Sequence, residues 1–316
     1  MLHEHRFRGM NTEIGIWIWS TGGDRLTIRP RLDWARHFFE SVEAEMSRFR
    51  ETSALSRINR AAGCGPQIVP ERLWSVLTAA FEAAGDSDGI FDPTLGRTMA
   101  RIGYDRSFEC IAARDGADSV SSAAPVLASW RRMRLDSAVQ SVTLPSDAAL
   151  DLGGIAKGWT VDYVARALAA LGPVLVDAGG DIRAIGTIAG EPWLVGVQDP
   201  FDPECDRGRV RLQGALATSS IGGRRWQRGG RMLHHLVDPR TGTSAESDLY
   251  AVTVHAPDAT AAEVAAKVAL VLGSQSGSAY ILKRGLSAFF VSAAGRESVI
   301  GRFPFEGVDL HVSSGA

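Results

Sequence analysis

Residues 151–186 read DLGGIAKGWTVDYVARALAALGPVLVDAGGDIRAIG. Paired glycines follow an apolar run, and Val161, Val164, Leu168 and Leu171 then recur at helical spacing until Gly172 stops the segment. Directly afterwards VLVDAGGDIRAIG gives a strand, a glycine turn and a second strand. A strand that returns through a short turn, with a helix inserted before it, belongs to an antiparallel grouping rather than to regular βαβ alternation. The stretch therefore points to an α+β fold, not a doubly wound parallel sheet.

The flanking sequence reads the same way. EIGIWIW (13–19) alternates with β-branched and aromatic residues and predicts a strand. Trp34, Phe38, Val42, Met46 and Phe49 predict an amphipathic helix over 32–50. SALSRIN (53–59) reads as a short helix with a serine cap. Pro70 opens another helix, and Gly85 is placed to end it. A strand is expected near 140–151, with further strands in WLVGVQD, RVRLQGALAT, LYAVTVHA, SAFFVSA and ESVIG. Helices are expected over 260–272 and near 276–284. The Ala-, Ser- and Asp-rich segment 110–125 reads as a surface insertion, and no linker divides the chain cleanly. A single domain of interleaved subdomains is expected.

Composition narrows the function. Of 316 residues 45% are apolar and 22% charged, with a formal net charge of −2, which is ordinary for a globular protein. Basic and acidic residues are interspersed, so no stripe suited to nucleic acid is present. Three widely spaced cysteines, Cys64, Cys110 and Cys205, form no CxxC pair and fit a reducing compartment. The charged N-terminus has no apolar leader, and no run of about 18 apolar residues occurs. A cytoplasmic protein without a membrane span is expected.

Four stretches could carry chemistry. DLGGIAKGWTVD is neither GxxxxGK[ST] nor GxGxxG, yet Gly153, Gly154 and a helix start with Lys157 suit an anion. It reads equally well as an ordinary strand-to-helix turn. DGIFDPTLG (88–96) sets Asp92 and an aromatic ring on a rigid Asp-Pro corner, which is structural when taken alone. HHLVDPRTG (234–242) offers His235 and Asp238 as candidate bases. In TAAEVAAK (260–267), local rules make Thr260 and Glu263 a capping box and Glu263–Lys267 an i,i+4 pair.

Taken together and in order, MNTEIGIWIW, MSRFRETSALSRIN, GIFDPTLG, DLGGIAKGWTVD, VDAGGDIRAIG, ATSS, HHLVDPRTG and TAAEVAAKVALVLG resemble the ApbE-type FAD:protein FMN transferases. The resemblance runs from about residue 10 to 300. It implies a T-fold-like α+β architecture that binds FAD between subdomains. It further implies Mg²⁺-assisted transfer of FMN to a Ser or Thr hydroxyl of an acceptor flavoprotein, with release of AMP. The acceptor residue would lie in a Ser/Thr-Gly-Ala-Ser/Thr-like motif.

By position, the resemblance assigns cofactor contacts to Met10, Phe49, Ile90, Phe91, Asp92, Lys157, Tyr163 and Val237, and a catalytic role to His235. Asp238 is a second candidate for the hydroxyl proton. Asn11 replaces a family glycine, and Phe49 a tyrosine. For the metal the resemblance implies the carbonyl of Thr160 and the side chains at 263 and 267. There this chain has Glu263 and Lys267 in place of aspartate and threonine, and a protonated lysine has no lone pair to give. Two rival readings follow: a metal-dependent FAD pyrophosphatase, and a non-catalytic FAD-binding protein.

Overall fold

A computed structural model describes residues 1–20, 25–112 and 129–306. Most of the expected insertion, from residue 113 on, lies outside the described residues; its first residues end the helix Phe108–Ala112. The chain forms two compact units, each built from separated segments. The first comprises 1–43, 157–220 and 247–316, and the second 44–156 and 221–246.

The first unit holds, among the described residues, an eight-stranded sheet. Its strands are β1 (Leu2–Gly9), β2 (Thr12–Trp19), β3 (Val174–Ala178), β4 (Asp181–Ile185), β5 (Gly214–Ser220), β6 (Leu249–Ala256), β7 (Ser287–Ser292) and β8 (Glu297–Ile300). Sheet order equals chain order and every pairing is antiparallel. The α+β expectation thus takes the form of a meander whose connections carry the insertions. Three helices belong to it: α1 (Arg25–Met46), α2 (Ala156–Leu168) and α3 (Ala259–Lys283). Ile14, Ile16 and Ile18 of β2 are buried in alternation, while in β6 Ala251 and Thr253 are buried as well as Val252 and Val254, so that strand is covered on both faces.

Several boundaries move for stated reasons. α1 ends at Met46, three residues before Phe49. RVRLQGALAT is two strands, because Gly214 (φ 94°) breaks it; residues 206–212 pair with 193–198, while β5 joins the main sheet. The two C-terminal helices meet at Gly273 (φ 79°), where Asp248 accepts the Ser274 N–H at 2.9 Å and caps the second one.

The β1–β2 hairpin turns on Met10 and Asn11, with φ of 48° and 61° between paired Gly9 and Thr12. Two successive positive φ values make a type I′ turn. Asn11 adopts the left-handed conformation that asparagine tolerates. The Met10 N–H donates to Glu43 Oε2 at 2.7 Å, which fixes the turn to α1.

In the second unit the Ser53 cap is present: its Oγ accepts the Ser56 N–H at 2.9 Å ahead of helix Ala54–Arg60. The Pro70 helix runs from Glu71 to Asp86, past Gly85; the left-handed pair Asp88 and Gly89 turns the chain instead. The strand expected near 140–151 shrinks to Ser141–Thr143. Beyond it, Leu150 is tied to Asn59 by both its backbone groups.

Candidate active site

In the first unit, α2 and α3 cap each other. Asp162 of α2 accepts the N–H groups of Ala259 and Thr260, each at 2.9 Å, and the Thr260 hydroxyl at 2.7 Å. Glu263 of α3 accepts the Gly158 N–H at 2.9 Å, near the start of α2. Each carboxylate therefore satisfies orphan donors of the other helix and sits at its positive end. The crossing needs glycine, since a Cβ on Gly158 would lie 2.5 Å from the Ala259 carbonyl oxygen. The capping-box expectation is corrected here: the N-cap of α3 is Asp258, whose side chain accepts from Ala261 at 2.8 Å. Glu263 is a cap, but of the neighbouring helix.

Lys157 enters this arrangement from the first turn of α2. Its ammonium pairs with Asp181, the first residue of β4, and lies 3.9 Å from Glu263 Oε1. Asp181 follows the Gly179–Gly180 turn, which Asp177 closes by accepting the Gly180 N–H at 2.8 Å. Burial outweighs the pull of Lys157 and pushes the Asp181 carboxyl up to about 7, and Glu263 adds to the rise. Lys267, one turn beyond Glu263, acts on Asp181 in the opposite sense.

Tyr163 takes part in a different arrangement. Its ring stacks on Phe38 (centroids 4.5 Å apart) and on Trp159 (5.4 Å). Thr160 is fully buried inside α2, where a carbonyl ordinarily accepts from the N–H four residues on.

The second unit carries the other set. Asp92 Oδ1 accepts the N–H and the hydroxyl of Thr94, at 2.7 and 2.5 Å. Its Oδ2 is buried with no hydrogen-bond partner among the described residues. Burial raises this carboxyl above its ordinary range. Phe91 beside it is buried and Ile90 half-buried. Phe49 is 39% exposed, meets Tyr104 edge to face, and lies under the Arg48 guanidinium at 4.2 Å. Tyr104 stacks on Trp226, and Arg48 is fixed by Asp151 at 2.7 Å. Val237 packs with Tyr104 and Trp226 in one apolar cluster.

The two adjacent histidines differ. His234 is buried; its Nε2 lies 3.0 Å from the Ala245 carbonyl, so that nitrogen carries the proton, and burial lowers its basicity. His235 is half-buried, and its N–H donates to the Arg224 carbonyl at 3.3 Å. Both oxygens of Asp238 receive the Arg240 guanidinium, at 2.8 to 3.1 Å, and Oδ1 also accepts the Arg240 N–H. Its carboxylate thus shapes the Pro-Arg-Thr-Gly turn.

A family model described as ApbE family matches residues 10–290. The chain belongs to the ApbE family. Among ApbE relatives, the FAD:protein FMN transferase of Treponema pallidum is 32% identical over 275 residues, covering 80% of this chain and 74% of the relative. That of Salmonella typhimurium is 28% identical, covering 79% and 73%. The ApbE protein of Thermotoga maritima superposes with a TM-score of 0.81 at 26% identity, over 95% of this chain and 97% of that one. The Vibrio cholerae flavin transferase ApbE shares the fold at a TM-score of 0.77 and 24% identity.

Sequence reasoning did not single out Asp162, Asp181, Tyr104 or Trp226 as site residues. Asp181 had a signal, a carboxylate just after a double-glycine turn, and Asp162 lay in the quoted glycine stretch.

The two implied groups fare differently against these residues. In the second unit the exposed Phe49 ring and the unpartnered Asp92 oxygen suit a flavin ring, and in the first unit the lysine at a helix start suits a phosphate. Mg²⁺ does not fit. Of the three implied ligands, one is a carbonyl inside a helix, one a carboxylate already shared between Gly158 and Lys157, and one an ammonium without a lone pair. Among the described residues, no group of three or more His, Cys, Asp or Glu is placed to hold a metal ion.

Proposed function

We propose that this ApbE-family chain is a FAD:protein FMN transferase. The observation that carries the reading is the match of the family model to residues 10–290, together with a Lys157–Asp181–Glu263 arrangement at a helix start. In this reading Lys157 and the α2 N-terminus meet the pyrophosphate of FAD. Met10, Phe49, Ile90, Phe91 and Val237 shape the flavin side, and the free Asp92 oxygen accepts a ligand N–H. Tyr163, in its stack with Phe38 and Trp159, is the remaining proposed contact.

The acceptor's Ser or Thr oxygen forms a bond to the FMN-side phosphorus. The bond from that phosphorus to the bridging oxygen breaks, and AMP leaves with the electron pair. His235 takes the hydroxyl proton, since His234 is spent on Ala245 and Asp238 on Arg240. Such a displacement depends on positioning and charge more than on covalent intermediates.

The partner is an acceptor flavoprotein with a Ser/Thr-Gly-Ala-Ser/Thr-like motif. No helix among the described residues is long and apolar enough to cross a membrane. The three cysteines are free and exposed, which suits a reducing setting and supports a cytoplasmic assignment.

Chromatography of the nucleotides tests the reading. AMP is to appear from FAD only when an acceptor is added. Equal AMP and FMN without an acceptor would instead select a pyrophosphatase, and FAD binding with no AMP under any condition a non-catalytic binder.

A further inference from the structure

Two carboxylates and Lys157 meet where α2 crosses α3 in the first unit, and Lys267 stands one turn along α3 from Glu263. Asp181 is 2% exposed and Glu263 5% exposed. Buried carboxylates at this depth require compensation by charge as well as by hydrogen bonds. Lys157 pairs with Asp181 and reaches Glu263 at 3.9 Å. One ammonium between two carboxylates leaves one negative charge over, the condition that recruits a divalent cation. Lys267 removes that condition: it lies on α3 one turn from Glu263, and its positive charge acts on Asp181. With both carboxylates ionised, the four side chains sum to zero.

The lone pairs lead to the same conclusion. Glu263 Oε2 is occupied by the Gly158 N–H and Asp181 Oδ2 by Lys157. A metal ion entering at the remaining oxygens would face the Lys157 ammonium 3.9 Å from Glu263 Oε1 and the charge of Lys267. We propose that Lys267 supplies, as a resident ammonium, the positive charge that a divalent metal would otherwise bring to Asp181 and Glu263, so that this chain works without Mg²⁺ at that position. The proposal rests on the reading that this arrangement meets the pyrophosphate of FAD. In that reading Lys267 is a positioning residue: it balances the carboxylates and leaves Lys157 to the incoming phosphates.

The test titrates the full-length protein with manganese chloride, with and without FAD, and follows the electron paramagnetic resonance signal of free Mn²⁺. FAD alone supplies the baseline. The wild-type chain is expected to leave the signal at that baseline, and its FMN transfer in EDTA is to stay within about twofold of that in Mg²⁺. The double variant Glu263→Asp/Lys267→Thr is expected to bind one Mn²⁺ per chain and to become EDTA-sensitive.

Two single variants cover the case in which the double variant does not fold. Lys267→Met is to slow transfer about tenfold or more, and Lys267→Arg is to restore most of it, because only the second keeps the charge. Stoichiometric Mn²⁺ binding by the wild type, or transfer abolished by EDTA and restored by Mg²⁺, would overturn the proposal. Wild-type indifference to Mn²⁺ with no transfer under either condition would keep the charge assignment and reject the transferase reading beneath it.

Discussion

Asp181 in the first unit and Asp92 in the second are both carboxylates that burial pushes above their ordinary range. Asp181 has Lys157 directly on it and a second lysine acting on it, within an arrangement that also ties two helices together. Asp92 satisfies one oxygen through Thr94 and leaves the other buried and unpartnered. In the first region both carboxylates, Asp181 and Glu263, have partners; the second is short of one hydrogen-bond donor. Buried polar groups that lack partners are costly, so a protein retains one where something else supplies the partner. The adjacent histidines differ in burial: His234 is buried with Nε2 on the Ala245 carbonyl, and His235 is half-buried.

If the contrast is right, changes at the unpartnered Asp92 and at His235 alter binding and chemistry, and changes at the helix caps and at His234 alter stability. The largest effect is expected at His235. His235→Ala is to slow FMN transfer by about 10²–10⁴-fold with FAD affinity retained, checked by single-turnover assays beside ligand titration. His234→Ala, by contrast, is to lower the melting temperature; equal losses of transfer rate in both variants would erase the distinction.

Next comes Asp162, which accepts three hydrogen bonds at the start of α3. Asp162→Ala is to cost about 2–4 kcal/mol of stability in a denaturant titration. A midpoint unchanged from wild type would show that the reciprocal caps do not hold the helices.

Asp92→Asn reads the open carboxylate directly. Affinity for FAD is to fall about ten- to hundredfold, as for loss of a hydrogen bond to a charged group. The ligand-free protein is to melt higher at neutral pH, because the buried charge is gone. A variant that binds FAD as the wild type does would close that site.

The last effect is a pH dependence. Asp181 titrates near 7 when folded, against 3.8 unfolded. The folded chain therefore holds a proton through that window which the unfolded chain gives up. The stability this group contributes is full below 3.8 and is lost as pH rises through about 7. Melting at pH 5 and pH 8 is to show the wild type losing more stability than Asp181→Asn; an equal or smaller loss would contradict the assignment.

What the sequence made legible follows the same division. The glycine-turned hairpin at 174–186 and the Ser53 cap depend on near neighbours, and local rules reach them. Glu263 could not be read that way. Local rules made it the cap of its own helix, whereas its partner, Gly158, lies 105 residues away. Asp162 was hidden for the same reason, since an acid six residues into a helix looks like a solvated face until another helix start is brought against it. Asp92 and His235 were legible locally as a rigid corner and a candidate base, but only the motif resemblance tied them, and Phe49, to one ligand.

The central claim is that this chain moves FMN from FAD onto a protein hydroxyl, and the most direct test weighs the acceptor. A flavoprotein domain carrying the Ser/Thr-Gly-Ala-Ser/Thr-like motif is incubated with FAD and this protein, then measured as an intact chain. The account predicts a gain equal to FMN less one water, placed on the motif's Ser or Thr by fragmentation. An acceptor of unchanged mass, while FAD is bound or broken down to FMN and AMP, would contradict it.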